Sequence, residues 1–114
     1  MRAVLGRTPR FAARVFTPGE RAYCDSRGAG AAAQHYAARF AAKEAAMKAL
    51  GTGWSGGLSW HDVEVVRADS GAPALALTGR ALELFRLSGA NRAHLSLSHT
   101  AEHAIAQVIF ERAD

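Results

Sequence analysis

The segment Gln34–Leu50 constrains the fold of this chain more than any other. It is rich in alanine and holds no glycine or proline, the composition of a helix interior. Tyr36, Phe40, Met47 and Leu50 recur at helical spacing and make one apolar stripe. Gly51 supplies the stop, and the glycine-rich stretch Gly51–Gly57 is unsuited to regular structure. A long helix with such a stripe needs a second layer to cover it.

The flanking segments offer that layer. Phe11–Phe16 is a short apolar and basic segment of helical character. Thr17-Pro18-Gly19-Glu20 opens a further helix: Thr17 caps it, Pro18 suits its first position, and Glu20 stands where a capping-box carboxylate belongs. That helix is predicted to end near Asp25–Gly28, with Gly28–Ala33 a small-residue loop leading into the long helix. Downstream, Leu58–Arg67 reads as a strand, Asp69-Ser70-Gly71 as a turn and Ala74–Thr78 as the returning strand. Gly79–Leu87 reads as a helix with Leu82 and Phe85 inward, closed by Gly89. Ala93–His99 alternates, with Leu95 and Leu97 on one face and His94, Ser96 and Ser98 on the other. Ala104–Glu111 alternates again across the tip Thr100–His103. This order predicts one α+β domain over residues 1–114, a mainly antiparallel sheet packed against the long helix.

At 114 residues the core is small, so oligomerisation would help to stabilise it. The lone Cys24 has no partner for an internal disulfide. No apolar run approaches the roughly 20 residues that span a bilayer, and the arginine-bearing start lacks the apolar region of a secretory signal. A cytoplasmic location, with no membrane partner, is the expectation. The formal net charge of +4 favours polyanionic partners: nucleic acid, a phosphorylated cofactor or an acidic protein.

Arg39, Lys43, Glu44 and Lys48 are spaced so that all four can project around one side of the long helix. A carboxylate ringed by cations suits a Mg²⁺-bound pyrophosphate, the carboxylate holding the metal and the cations taking phosphate charge. The same spacing also describes a solvated face with an ordinary Glu–Lys pair worth a few tenths of a kcal/mol. Gly51 and Gly53 let backbone approach a ligand, or simply end the helix. His99, at a strand end beside hydroxyls, suits acid–base work or phosphate contact, or is merely an exposed turn residue. His35, His61, His94 and His103 show no metal-site spacing, and Ser98-His99 lacks an evident third triad member. Trp54 and Trp60 flank the glycine loop and are read as core.

Taken together, FTPGERAYC, RFAAKEAAMKALGTG, LSWHDVEVV, DSGAPALALTGRA and HLSLSHT resemble, in family order, the holo-acyl-carrier-protein synthase type of 4′-phosphopantetheinyl transferase. The likeness covers Thr8–Phe110, and the helix motif with its GTG plus the terminal SLSHT is specific. It implies transfer of phosphopantetheine from coenzyme A to a serine of acyl carrier protein, releasing 3′,5′-ADP, in fatty acid biosynthesis. It implies Glu44 as a Mg²⁺ ligand and Lys48 as a phosphate neutraliser that assists proton transfer. Arg39 and Lys43 match positions near the coenzyme A phosphates, and Gly51, Thr52 and Gly53 match the loop lining the nucleotide site. Pro73 lies in the hairpin near it, while His99 and Thr100 match the cofactor-contacting strand end. Glu44, Lys48 and His99 are thus the expected catalytic residues, and a homotrimer with active sites between subunits is the expected assembly.

The departure is at the start. The family opens with a strand reading roughly G-x-G-x-D, whose Asp is another Mg²⁺ ligand, yet Met1–Gly19 contains no Asp or Glu. Arg2–Pro9 instead resembles the helix that follows that strand, so the chain is read as lacking the first strand and one metal-ligating carboxylate. A non-catalytic member that binds coenzyme A or carrier protein is the alternative this departure supports. A small basic nucleic-acid-binding domain would interleave aromatics with Arg or Lys on one sheet face. The last two strands carry Ser, His and Gln there, against that reading.

Overall fold

The computed structural model of the chain describes residues 9–51, 57–100 and 102–114. Among the described residues three helices come first, α1 (Pro9–Val15), α2 (Pro18–Ser26) and α3 (Ala29–Leu50). A 3₁₀ turn (Trp60–Asp62) leads into strands β1 (Val63–Arg67) and β2 (Pro73–Leu77). Helix α4 (Gly79–Leu87) then precedes strands β3 (Arg92–His99) and β4 (Ala104–Glu111). Of the expected N-terminal helix, Arg2–Thr8 lie outside the described residues, as do Thr52, Gly53 and Trp54 of the glycine loop.

The capping box predicted at Thr17 is present in full. Thr17 Oγ1 accepts from the Glu20 N–H at 3.1 Å, and Glu20 Oε1 accepts from the Thr17 N–H at 2.9 Å. Helix α3 begins at Ala29, earlier than expected, because the supposed loop Gly28–Ala33 is helical from its second residue. Gly28, at φ 91°, makes the break in a conformation that L side chains rarely adopt. Beyond it, the alanines outweigh the roughly 1 kcal/mol that Gly30 costs. The helix runs for 22 residues, about 33 Å, and stops where Gly51 turns left-handed at φ 85°.

The expected strand from Leu58 begins only at Val63. Ser59 and Asp62 form a second small box, Ser59 Oγ accepting from the His61 N–H and Asp62 Oδ2 from the Ser59 N–H. That box closes a 3₁₀ turn instead of extending the strand.

The strands form two separate antiparallel ladders, β1 with β2 and β3 with β4, where a single sheet was expected. In the second ladder His94 faces Ile109, Ser96 faces Gln107 and Ser98 faces Ile105, so these six side chains share the outer face. Leu95, Leu97, Val108 and Phe110 share the inner one and are partly buried. Helix α3 packs against β3, β4 and β1. One apolar cluster gathers Val15, Phe16, Cys24 and Tyr36; another gathers Ala46, Met47, Val63 and Ala81. Burial pushes the Cys24 thiol up to about 12, so it stays protonated and inert near neutral pH.

Candidate active site

The four charged residues of the long helix do not project together. Arg39 and Lys43 are buried, 5 % and 0 % exposed, whereas Glu44 and Lys48 face solvent. Helix geometry accounts for the split. Residues four apart share a face, while Glu44 lies about 140° around the helix from Arg39.

Lys43 turns inward, which corrects the expectation that it serves the cofactor phosphates. Its ammonium pairs with Glu20 Oε1 at 2.9 Å and donates to the carbonyls of Trp60, at 3.0 Å, and Val63. Those are three acceptors for three N–H groups, so the cation is fully satisfied. Burial pushes its pKa below the ordinary amine range, and the neighbouring Glu20 carboxylate opposes that push. Glu20 Oε2 also accepts the Val65 N–H at 2.7 Å. The capping carboxylate therefore ties α2, α3 and β1 together, and Thr17 adds a 2.6 Å hydroxyl bond to Glu64.

Arg39 borders a cleft of about 190 Å³ lined by Tyr23, His35, Ala38, Arg39, Arg67, Gly71, Pro73, Leu97 and His99. Three expected residues from three separate motifs, Arg39, Pro73 and His99, meet here. His99 reaches the cleft because it continues the inner face of β3 after Leu95 and Leu97. Thr100, next along, lies at the hairpin tip, where its Oγ1 accepts the N–H groups of Glu102 and His103.

Tyr23, His35 and Arg67 were not anticipated, because they come from elements far apart in the chain. His35 alone carried a signal, lying one helical turn before Arg39. Tyr23 is the hub of the cleft: the guanidinium carbons of Arg39, Arg67 and Arg27 lie 4.3, 5.1 and 5.6 Å from its ring centroid. Arg67 Nη1 also donates to the Tyr23 hydroxyl at 2.8 Å. The His35 ring stacks edge-on against Tyr23 at 5.6 Å and against His99 at 5.1 Å. No carboxylate is among the described lining, and the buried Arg39 Nε has no hydrogen-bond partner among the described residues. A cationic cleft floored by an aromatic ring suits an oxyanion.

Glu44 and Lys48 stand apart from this cleft. Glu44 follows His35 by nine residues, about half a revolution around the helix. Neither residue forms an ion pair with a described residue. Among the described residues no three His, Cys, Asp or Glu side chains gather as a metal cage. One free carboxylate nonetheless fits Mg²⁺, which is commonly held by one or two carboxylates together with substrate phosphates and water. Gly51 caps the C-terminal end of α3, and beyond its chain neighbours no described atom lies within 4 Å of where a Cβ would sit.

The fold belongs to a known class. The sequence pattern of the 4′-phosphopantetheinyl transferase superfamily matches residues 2–108, and the chain belongs to that superfamily. Within it, the chain is 51 % identical over 102 residues to the holo-[acyl-carrier-protein] synthase of Koribacter versatilis, covering 90 % of this chain and 80 % of that one. It is 56 % identical over 105 residues to the synthase of Anaeromyxobacter sp. strain K, covering 92 % and 78 %. Among solved structures, the Helicobacter pylori synthase in complex with coenzyme A superposes with a TM-score of 0.78 at 28 % identity, covering 96 % of this chain and 89 % of that one. The Bacillus anthracis synthase, in complex with CoA (3′,5′-ADP), gives 0.77 at 33 % identity, covering 98 % and 89 %.

Proposed function

We propose that this chain transfers 4′-phosphopantetheine from coenzyme A to a serine hydroxyl of acyl carrier protein, in a Mg²⁺-dependent reaction that releases 3′,5′-ADP. The observation that carries the reading is the cleft where Arg39, Pro73 and His99, from three separate motifs, converge beside Arg67 and Tyr23. In this reading Arg39, Arg67 and His99 hold a phosphate of coenzyme A that carries no metal, and Tyr23 keeps the guanidinium groups in place. Glu44 is the residue that would hold Mg²⁺, and the ion would supply Lewis-acid neutralisation of phosphate charge. Lys48 adds a cation on the same side. It opposes the charge that grows on the leaving phosphate as the serine oxygen bonds to phosphorus and the pyrophosphate bond breaks. Gly51 leaves room for the nucleotide; Thr52, Gly53 and Thr100 are assigned to its rim.

The two halves of this machinery lie on opposite sides of α3, so one substrate is best served by two copies of the chain. The outer face of the β3–β4 ladder suits that assembly. Ile105 and Ile109 there are 68 % and 50 % exposed, beside Ser96, Ser98 and Gln107. We assign this face to a homotrimer in which Glu44 and Lys48 of one copy complete the cleft of the next. No described helix is long and apolar enough to cross a membrane, and the reaction is assigned to the cytoplasm, in fatty acid biosynthesis.

Subunit mixing tests the composite site. Glu44→Ala and His99→Ala chains are each expected to lose at least tenfold in rate. Unfolded together in equal amounts and refolded, they should recover about a quarter of wild-type turnover, because one interface in four then pairs two intact halves. Recovery no greater than the average of the separate variants would place both halves on one chain.

A further inference from the structure

The cation cleft holds a titratable group that the transfer chemistry does not use. His35 projects from α3 into the cleft, where arginines from three elements and a second imidazole face it. Arg39 comes from its own helix, Arg27 from the end of α2, Arg67 from β1 and His99 from β3. Tyr23 of α2 forms the remaining wall, and β2 contributes the uncharged Pro73. Burial, then Arg39, His99, Arg27 and Arg67, hold the His35 pKa below that of an ordinary histidine. The empty cleft therefore keeps this imidazole neutral near pH 7, since a further cation would crowd those already present. Arriving anions reverse the balance. A phosphate monoester is close to dianionic at neutral pH, and two negative charges among these groups favour the charged imidazole.

We propose that His35 is a proton-linked anion ligand: a phosphate seated beside Arg39, Arg67 and His99 draws one proton from solvent onto the His35 ring, and its departure returns that proton. The bound state is then a dianion matched by an additional ring N–H donor. The empty state is a cleft with less self-repulsion. Affinity for the phosphate falls as pH rises through the His35 midpoint of the complex, where the proton is no longer held. This inference rests on the reading of the cleft as a coenzyme A phosphate site, and it adds a specificity-determining residue and a pH dependence to that site.

The test uses the wild-type chain and 3′,5′-ADP as the probe. Proton NMR follows the ring resonances of the five histidines, with His35 assigned by its absence in His35→Gln. Saturating 3′,5′-ADP should raise the His35 midpoint by about 1–2 pH units. Calorimetry at pH 7 in buffers of different ionisation heat should show net proton uptake on binding, lost in His35→Gln. Binding with an unmoved His35 midpoint, or with uptake undiminished in His35→Gln, overturns the proton link and leaves the phosphate site standing. No binding of 3′,5′-ADP overturns both. The wild-type NMR titration decides the matter even where His35→Gln fails to fold, with His35 then assigned by nuclear Overhauser contacts of its ring to Tyr23 and His99.

Discussion

Replacing Lys43 by methionine is expected to lower the stability of the chain by about 3–5 kcal/mol. Lys43 is fully enclosed, and its ammonium neutralises Glu20 while donating to two backbone carbonyls. Methionine fills similar volume but strands the buried Glu20 carboxylate, whose remaining partners are N–H groups of Thr17 and Val65. An uncompensated buried charge is the costly outcome; a matched neutral pair is not. For a chain of 114 residues, the loss corresponds to a fall in melting temperature of roughly 12–20 °C. Thermal melts at one fixed protein concentration would measure it, since any self-association would make the midpoint concentration-dependent. The double variant Glu20→Gln, Lys43→Met should lose clearly less than the sum of the two single variants. An unchanged melting temperature with weakened coenzyme A binding would instead make Lys43 a phosphate ligand.

Replacing Glu44 by alanine is expected to do the opposite: abolish activity and spare the fold. The side chain faces solvent and holds no ion pair with a described residue. Alanine is the best helix former, so the melting temperature should move by no more than a few degrees, as for an ordinary surface change. On the proposed reading, losing the carboxylate that would hold Mg²⁺ removes stabilisation of the pyrophosphate charge, a loss on the order of 10²–10³-fold in turnover. Transfer rates at several Mg²⁺ concentrations would show it. Full activity in Glu44→Ala at limiting Mg²⁺ would refute the metal assignment.

Local signals carried most of the fold. Thr17 and Glu20 sit three apart, Gly51 follows an unbroken alanine-rich run, and β3 and β4 alternate cleanly; each depends on neighbours within a turn or two. The errors arose where local signals compete. Gly28–Ala33 has the small residues of a linker, yet the alanines outweigh Gly30 and prolong the helix. At Ser59 and Asp62, side-chain caps divert the backbone from the strand that Val63 begins.

The site was legible only in part. The motif residues Arg39, Pro73 and His99 do meet in one cleft, but Tyr23, His35 and Arg67 join them through tertiary packing that no spacing encodes. Lys43 was misplaced because its identity as a cation spoke louder than its position. It lies one turn after Arg39, on the same helical face as Ala42, Ala46 and Met47, and that face is buried. Its partner Glu20 already had a sufficient local explanation as a capping carboxylate, so nothing pointed 23 residues further along the chain.

The measurement that bears most directly on the account is intact-mass analysis of an apo-acyl carrier protein incubated with this chain, coenzyme A and Mg²⁺. The account predicts a mass gain of one phosphopantetheine, matched by 3′,5′-ADP release and suppressed by a chelator. A carrier protein that stays apo while the chain binds coenzyme A at saturating Mg²⁺ would contradict it and leave a binding protein without turnover.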